Sequence, residues 1–407
     1  MRLLITGGAG FIGARLARTL LARGQLNGQA ITQIILADQF PAPADLAADP
    51  RVLVKTGPLL DHCKDLAHEA VDGVFHLASA VSGECEADFE LGLRSNLDST
   101  RALLDALRSR TEGGAKPTRL VFSSSVAVFG PDDAYPMPEI VADDTLPTPQ
   151  TSYGAQKHIC EHLVADYTRK GYIDGRSARL MTVAVRPGKP NGAASSFFSG
   201  IIREPLAGTA TTCPVDATVS HPVSSPGNTV HGLITVFEAS REAFGGRMAL
   251  NLPGLNVKVS DMLAALEKVA GPAVRARVTF EKDERIAAIV DNWAKGCTFE
   301  RAHALGLRAD ASGRLVVVAG HAAAAPGHVA RAQRRGADRH RRQLREVEGR
   351  EEPGRHGQPH QPRGRGRNRA PDAVALVIEP AAGEAGTGVE IGDLARDVAE
   401  GNAGLRR

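Results

Sequence analysis

Leu3-Leu4-Ile5-Thr6-Gly7-Gly8-Ala9-Gly10-Phe11-Ile12-Gly13 decides the fold. Its apolar residues read as a short strand and the glycines behind them as a turn. The next residues have a helical period, with Phe11, Ile12, Leu16, Leu20 and Leu21 on one face and Gly24 as the stop. The spacing G-x-x-G-x-x-G carries meaning in this setting, between a strand and a helix. Gly7 permits the tight turn, Gly10 lets the backbone approach a pyrophosphate, and Gly13 lets the helix lie close on the strand. The free N–H groups of the helix N-terminus then point at phosphate oxygens.

The same pattern repeats outward from this stretch. Ile34-Ile35-Leu36-Ala37 is a second strand and ends in Asp38. An acid there accepts hydrogen bonds from an adenosine ribose and repels a 2′-phosphate. No arginine or lysine comes directly after it, so the expected dinucleotide is NAD rather than NADP. Without the glycine loop, Asp38 would read as an ordinary strand-end turn residue. Val52-Leu53-Val54 is a third strand, and Val74-Phe75-His76-Leu77-Ala78-Ser79 a fourth with its C-terminal end. Ligands of open parallel sheets sit beyond the carboxyl ends of the strands, so Leu77, Ala78 and Ser79 are expected to line the cofactor. A long amphipathic helix from about Leu91 to Arg110 carries Asn96 near its start, and Leu120-Val121-Phe122 then runs into Ser123-Ser124-Ser125. Met181-Thr182-Val183-Ala184-Val185 reads as the sixth strand, closed by Arg186-Pro187-Gly188. Repeated strand–helix alternation specifies an α/β protein with a Rossmann-type, doubly wound parallel sheet.

The expected division is a cofactor-binding domain over residues 1–187 and a smaller substrate-binding region over 188–310. The latter reads as loops and short helices through Leu206, a helix from Asp261 to Ala270, and a last packed element from Val290 to Leu307. Residues 311–407 differ in composition: no aromatic comes after Phe299, no lysine after Lys295, and 17 arginines stand against 12 acids. Three readings of this low-complexity tail stay open: a frameshifted C-terminus, a plain disordered segment, and a basic arm for nucleic acid. The first fits the lysine-free Arg/Ala/Gly/His/Pro bias best, and no nucleic-acid partner is expected.

Over the whole chain of 407 residues, 43% are hydrophobic and 23% charged, the balance of a soluble globular protein. The net charge of +3 points to no particular partner. No apolar run reaches the roughly 18 residues that span a bilayer, and the N-terminus enters a strand without signal-peptide zones. Five scattered cysteines without paired spacing fit reduced thiols in a cytoplasm. His62, Cys63, His68 and His76 match no zinc spacing, so no metal is expected.

Tyr153 and Lys157 lie four residues apart in a helical segment that runs through Tyr167, and so share a face. A phenol has an unperturbed pKa of about 10, and a neighbouring ammonium favours its ionised form. Such a pair can take a proton from a substrate hydroxyl while a hydride leaves the same carbon. The spacing alone occurs by chance in many helices. What gives it weight is its place after the glycine loop, Asp38 and the Ser123–Ser125 strand end.

On those four features residues 1–310 resemble the extended short-chain dehydrogenase/reductases, also called the NAD-dependent epimerase/dehydratase family. Phe122-Ser123-Ser124-Ser125-Val126-Ala127-Val128-Phe129-Gly130 is similar to the Ser-Ser-Ser-x-x-Val-Tyr-Gly stretch of UDP-galactose 4-epimerases. The resemblance implies Ser125 as catalytic serine, Ser123 nearer the cofactor, Tyr153 as base, Lys157 on the nicotinamide ribose, and Asn96 as a support residue. Pro58 departs from the family's Gly-Asp-Leu, which removes a carboxylate and an N–H from the adenine side. Related enzymes often pair as homodimers through the helices around Asn96 and Tyr153.

A second resemblance concerns the substrate. Arg186-Pro187-Gly188-Lys189-Pro190-Asn191 and the segment Ser195–Gly208 look like the D-erythronate dehydrogenases. This implies NAD-dependent oxidation of a small sugar acid, D-erythronate, at C2. A four-carbon acid needs a cation and hydrogen-bond donors, which Lys189, Asn191, Ser196 and Arg203 could supply beside Ser125 and Tyr153. The alternative is a nucleoside-diphosphate-sugar 4-epimerase or dehydratase using the same serine, tyrosine and lysine.

Overall fold

Leu3 and Ile5 turn to one side of strand β1 (Arg2–Thr6) and Leu4 to the other, all three without exposed surface. That alternation sorts the two layers of the core. The computed structural model describes residues 1–188 and 193–310, with 317–318 and 375–376 beyond them. The expectations for Lys189, Asn191 and the arginine-rich tail fall outside the described residues.

In chain order β1 is followed by β2 (Gln33–Asp38), β3 (Val52–Thr56), β4 (Gly73–His76), β5 (Thr118–Ser125) and β6 (Ile173–Leu180). After these come β7 (Thr182–Val183), β8 (Ser220–Ser224), β9 (Leu250–Asn251) and β10 (Leu255–Lys258). The large sheet has the order β3-β2-β1-β4-β5-β6-β9, and every neighbouring pair is parallel. The chain moves outward from β1 to β3 and then crosses to the other side at β4. Strand order reverses there, which opens a crevice at the carboxyl ends of β1 and β4. This is the doubly wound sheet expected from the sequence.

Helices α1 (Phe11–Arg23), α2 (Leu59–Leu66), α3 (Ser99–Glu112), α4 (Ser152–Arg169), α5 (Ser196–Leu206), α6 (Pro226–Glu238), α7 (Val259–Ala270) and α8 (Glu284–Asp291) surround the strands. Leu16 and Leu20 of α1 and Leu233 and Phe237 of α6 cover the Leu3/Ile5 face, with Phe237 stacked 5.0 Å from Phe75. Leu103 and Leu107 of α3 and Cys160 and Val164 of α4 cover the Leu4 face. A separate core joins Phe198 and Ile202 of α5 to Met262 and Leu266 of α7 over Val223 and Val257. It carries the small sheet β7-β8-β10. Each large apolar side chain buried in these layers contributes about 1.5–3 kcal/mol.

Three sequence expectations need correction. The sixth strand of the large sheet is Ile173–Leu180, whereas Thr182–Val183 belongs to the small sheet. The strand Ile-Asp-Gly-Arg-Ser-Ala-Arg-Leu hides behind its charges. Arg176, with no exposed surface, meets Asp174 at 2.9 Å and donates to the Ala239 carbonyl at 2.8 Å. Arg179 donates to both oxygens of Glu161 at 2.9 Å, and the pair is almost wholly buried. Paired in this way, arginine can occupy a position that patterning reserves for apolar residues.

The helix expected from Leu91 to Arg110 is not uniform. Leu93–Asp98 form a π-helical turn ahead of α3, preceded by short turns at Ser82–Ala87 and Phe89–Gly92. The wider turn takes in one extra residue, and Asn96 within it is buried. Val290–Leu307 is likewise not one element: it holds the end of α8, a strand pair of Gly296–Cys297 with Ile140–Val141, and a short helix at Glu300–Ala304.

All five cysteines are free and buried. Among the described residues no helix is long and apolar enough to cross a membrane.

Candidate active site

The first turn of α4 is drawn tightly against the strap after β5. Thr151 caps the helix by accepting a hydrogen bond from Gly154 N at 3.0 Å. A Cβ on Gly154 would come within 2.1 Å of the Ala127 carbonyl oxygen, so only glycine permits this approach. The approach brings Tyr153 into one cavity with Ser125, the last residue of β5. Ser125 Oγ also accepts from Ala127 N at 3.1 Å, capping the turn at Val126–Val128.

Lys157 lies one helical turn beyond Tyr153, its ammonium 5.6 Å from the centre of the tyrosine ring. It donates to the Ser123 carbonyl at 2.9 Å and sits 4.8 Å over the Phe122 ring. Burial pulls Lys157 down to about 8, against the opposing pull of Cys160, Cys85 and Glu161. It therefore carries its charge at neutral pH. Burial pushes Tyr153 up from the ordinary phenol value, while the Ser125 side chain and the charge of Arg186 pull it back. Arg186 thus adds a second cation beside Tyr153, which the sequence expectation did not include next to Lys157.

Arg186 closes the segment after β7. It donates to the Val183 carbonyl at 3.1 Å and to Ser195 Oγ at 2.8 Å, and it lines the cavity. Burial lowers its pKa, and Tyr153 opposes that shift. Arg203 lies behind it: Arg203 donates to the Arg186 carbonyl at 2.7 Å and pairs with Glu204 at 2.6 Å. Neither Arg203 nor Ser196 lines the cavity. Thr182, Ser195, His221 and Trp293 do, and sequence reasoning passed over them along with Arg186. Arg186 had one visible signal, a charge closing an apolar run. His221 had none, because its partner Thr182 is distant in sequence.

The cavity measures about 930 Å³ and runs from these residues to the glycine loop. Gly7, Gly10, Phe11, Ile12, Gly13, Asp38, Leu77, Ala78 and Ser79 all line it. Gly7 has φ +69°, and a Cβ on Gly13 would lie 2.1 Å from the Gly7 carbonyl oxygen. A Cβ on Gly10, by contrast, would meet only that same oxygen, at 3.2 Å, which leaves the cavity side open. This is a cradle a dinucleotide fits: the loop lies flat on α1 and its open side faces the cavity. Asp38 accepts from Ala9 N at 2.9 Å on one oxygen and from Phe40 N at 3.0 Å on the other. Each oxygen keeps a lone pair for a ribose hydroxyl.

Ser123 and Ser124 line the cavity beside Ser125, with their hydroxyls bonded within the protein. Ser123 Oγ donates to the His76 carbonyl at 3.1 Å and Ser124 Oγ to Glu161 at 2.5 Å. Asn96 does not line the cavity. It accepts from Ala80 N at 2.8 Å and Ser79 Oγ at 2.9 Å, and donates to Gln156 Oε1 at 2.8 Å. It therefore holds the loop after β4. Among the described residues no group of three histidines, cysteines or acids could hold a metal ion.

The sequence profile of the NAD dependent epimerase/dehydratase family matches residues 3–245. D-erythronate dehydrogenase of Cupriavidus necator is 50% identical over 320 residues, which cover 77% of this chain and 95% of that one. D-erythronate dehydrogenase of Haemophilus influenzae is 40% identical over 322 residues, 78% of this chain and 98% of that one. The crystal structure of a nucleoside-diphosphate-sugar epimerase from Agrobacterium tumefaciens superposes with a TM-score of 0.71 at 41% identity, covering 76% of this chain and 90% of that one.

Proposed function

The chain belongs to the NAD-dependent epimerase/dehydratase family, and we propose that it oxidises D-erythronate at C2 to 2-dehydro-D-erythronate. The observation that carries this reading is a single cavity lined by Ser125, Tyr153, Lys157 and Arg186 at one end and by the glycine loop and Asp38 at the other. NAD, when bound, supplies the hydride acceptor. Gly7, Gly10 and Gly13 with the N-terminus of α1 hold its phosphates, Asp38 its adenosine ribose, and Leu77, Ala78, Ser79 and Lys157 the nicotinamide half.

The chain's own groups do the rest. Arg186 offers a planar guanidinium to the substrate carboxylate, the pairing for which arginine is best suited. Ser125 and Tyr153 hydrogen-bond the C2 hydroxyl. Tyr153 in its ionised form takes the hydroxyl proton as C2 is oxidised. Its neutral form dominates at low pH because burial raises its pKa, so turnover rises with pH as the phenolate forms. Arg186 supports that phenolate until the carboxylate arrives and shares its charge. In this reading residues 1–187 supply the cofactor cradle and catalytic groups, and the region 188–310 adds His221 and Trp293 to the substrate end. Pairing of two copies through the helices around Asn96 and Tyr153 belongs to the same proposal.

The test is NADH formation from D-erythronate, monitored at its absorbance, in wild type and Tyr153→Phe. The expected loss of turnover is on the order of 10²–10⁴-fold, with NAD affinity kept. Turnover in Tyr153→Phe close to wild type would remove tyrosine from the scheme. The competing reading is a sugar-nucleotide epimerase, favoured by the 41% identity to the Agrobacterium protein. Such an enzyme interconverts UDP-sugars without net NADH, so the same assay separates the two.

A further inference from the structure

Thr182 and His221 line the active-site cavity, yet neither takes part in the proton and hydride transfer at C2. Thr182 Oγ lies 2.8 Å from His221 Nε2, and His221 Nδ1 lies 3.1 Å from the Ala294 carbonyl oxygen. The carbonyl can only accept, so Nδ1 carries the proton of the histidine. His221 is buried, held between Phe198 at 5.6 Å and Trp293 at 4.8 Å, and among the described residues no carboxylate contacts it. Burial lowers its pKa to about 4, so it is neutral at physiological pH. A neutral ring with its proton on Nδ1 presents a bare lone pair at Nε2. The Thr182 hydroxyl must then donate to it, and the Thr182 oxygen has only accepting capacity left.

We infer that Thr182 is a specificity-determining acceptor for a substrate hydroxyl, locked in that role by His221, so that the cavity selects hydroxy acids carrying a second hydroxyl over those without one. The inference rests on the reading of the site as one for a small hydroxy acid. A deoxy substrate leaves the Thr182 oxygen without the donor it would otherwise have, and a carboxylate or carbonyl at that position faces a lone pair instead of a donor. Discrimination therefore comes from the orientation of the threonine proton, which a lone threonine could not hold because its hydroxyl turns freely. His221 acts through Thr182 and is a positioning residue.

The experiment uses the full chain with NAD and two acids of equal length, D-erythronate and 2-hydroxybutanoate, which has no hydroxyl beyond C2. Wild type is expected to favour D-erythronate in kcat/KM by on the order of 10²-fold or more. Thr182→Val should cut that preference at least about tenfold, and Thr182→Ser should keep it within about threefold. His221→Phe keeps the ring stack but releases the threonine proton, and it should weaken the preference as well. If Thr182→Val does not fold, the His221→Phe ratio decides. Loss of activity on both acids to the same extent, with the preference intact, would make the pair structural and overturn the inference. A wild type that oxidises neither acid would instead refute the hydroxy-acid reading beneath it.

Discussion

Replacing Arg186 by glutamine removes the guanidinium charge beside Tyr153 and leaves Lys157 in place, while keeping a donor for Val183 O. Two consequences separate. A charge-assisted hydrogen bond to the substrate carboxylate contributes about 1.5–3 kcal/mol, so kcat/KM for D-erythronate should fall roughly 10- to 150-fold, mostly through KM. In addition the Tyr153 phenolate loses the charge that offsets its burial, so the rising limb of the pH–rate profile should move to higher pH. The sign comes from the base: anything that raises the tyrosine pKa demands more hydroxide to ionise it. The assay is steady-state NADH formation between about pH 6 and 10, a span that brackets the ordinary phenol value. NAD affinity, measured separately by calorimetry, is expected to be unchanged. Arg203→Gln is the control, since Arg203 is tied to Glu204 and to the Arg186 carbonyl outside the cavity. An Arg186→Gln enzyme with wild-type KM and a superimposable pH profile would show that the carboxylate sits elsewhere. A larger KM effect from Arg203→Gln would put the carboxylate on Arg203, which with Lys189 is one of the two cations that the sequence offered.

Gly13→Ala places a methyl 2.1 Å from the Gly7 carbonyl oxygen, a contact that α1 can relieve only by lifting off the loop. The expected cost is about 1–3 kcal/mol in urea denaturation together with weaker NAD binding, and unchanged NAD affinity would refute the cradle. Acid should destabilise the fold through two buried neutral histidines, His76 held down at about 3 and His221 at about 4. Their unfolded value is about 6.5, so below it the unfolded chain binds protons that the folded one refuses, and stability falls as pH drops toward those folded values. At about pH 5 each removes about 2 kcal/mol relative to pH 7. A His76→Gln variant should lose about that much less between pH 7 and 5 than wild type, and equal losses would sink the assignment.

Legible in the sequence was whatever a backbone requirement had written into one residue. Gly7 and Gly13 are glycine because of φ and close approach, and Asp38 ends a strand of plain apolar residues. Tyr153 and Lys157 lie just inside a capped helix start and keep helical register. Strand β6 was illegible because its core positions include arginines whose partners, Glu161 and the Ala239 carbonyl, come from other parts of the chain. The π turn around Asn96 was illegible because one extra residue barely disturbs the apolar period of Leu91–Arg110. Arg186 and Thr182 acquire meaning only from what folding sets beside them: the phenol in one case, a histidine 39 positions on in the other.

The buried polar chain behind the site explains why its two halves keep their spacing. Thr100 donates to the Asn96 carbonyl at 2.5 Å, which commits its proton, so His76 Nε2 at 2.8 Å must be the donor to Thr100. Burial, with the charge of Lys157 adding to it, keeps His76 neutral, so its Nδ1 accepts from Thr6 at 2.7 Å. Thr6 in turn accepts from the backbone N–H groups of Leu77 and Ala78, which line the cofactor end of the cavity. On the far side Asn96 donates to Gln156, the residue before Lys157 on α4. Every proton in this path has one consistent direction from the glycine-loop strand to α4. Such a network in a low-dielectric interior resists any local change, because a break leaves at least one buried group unpaired. Asn96 therefore ties the helix that carries Tyr153 to the loop after β4, and through Thr100, His76 and Thr6 to strand β1.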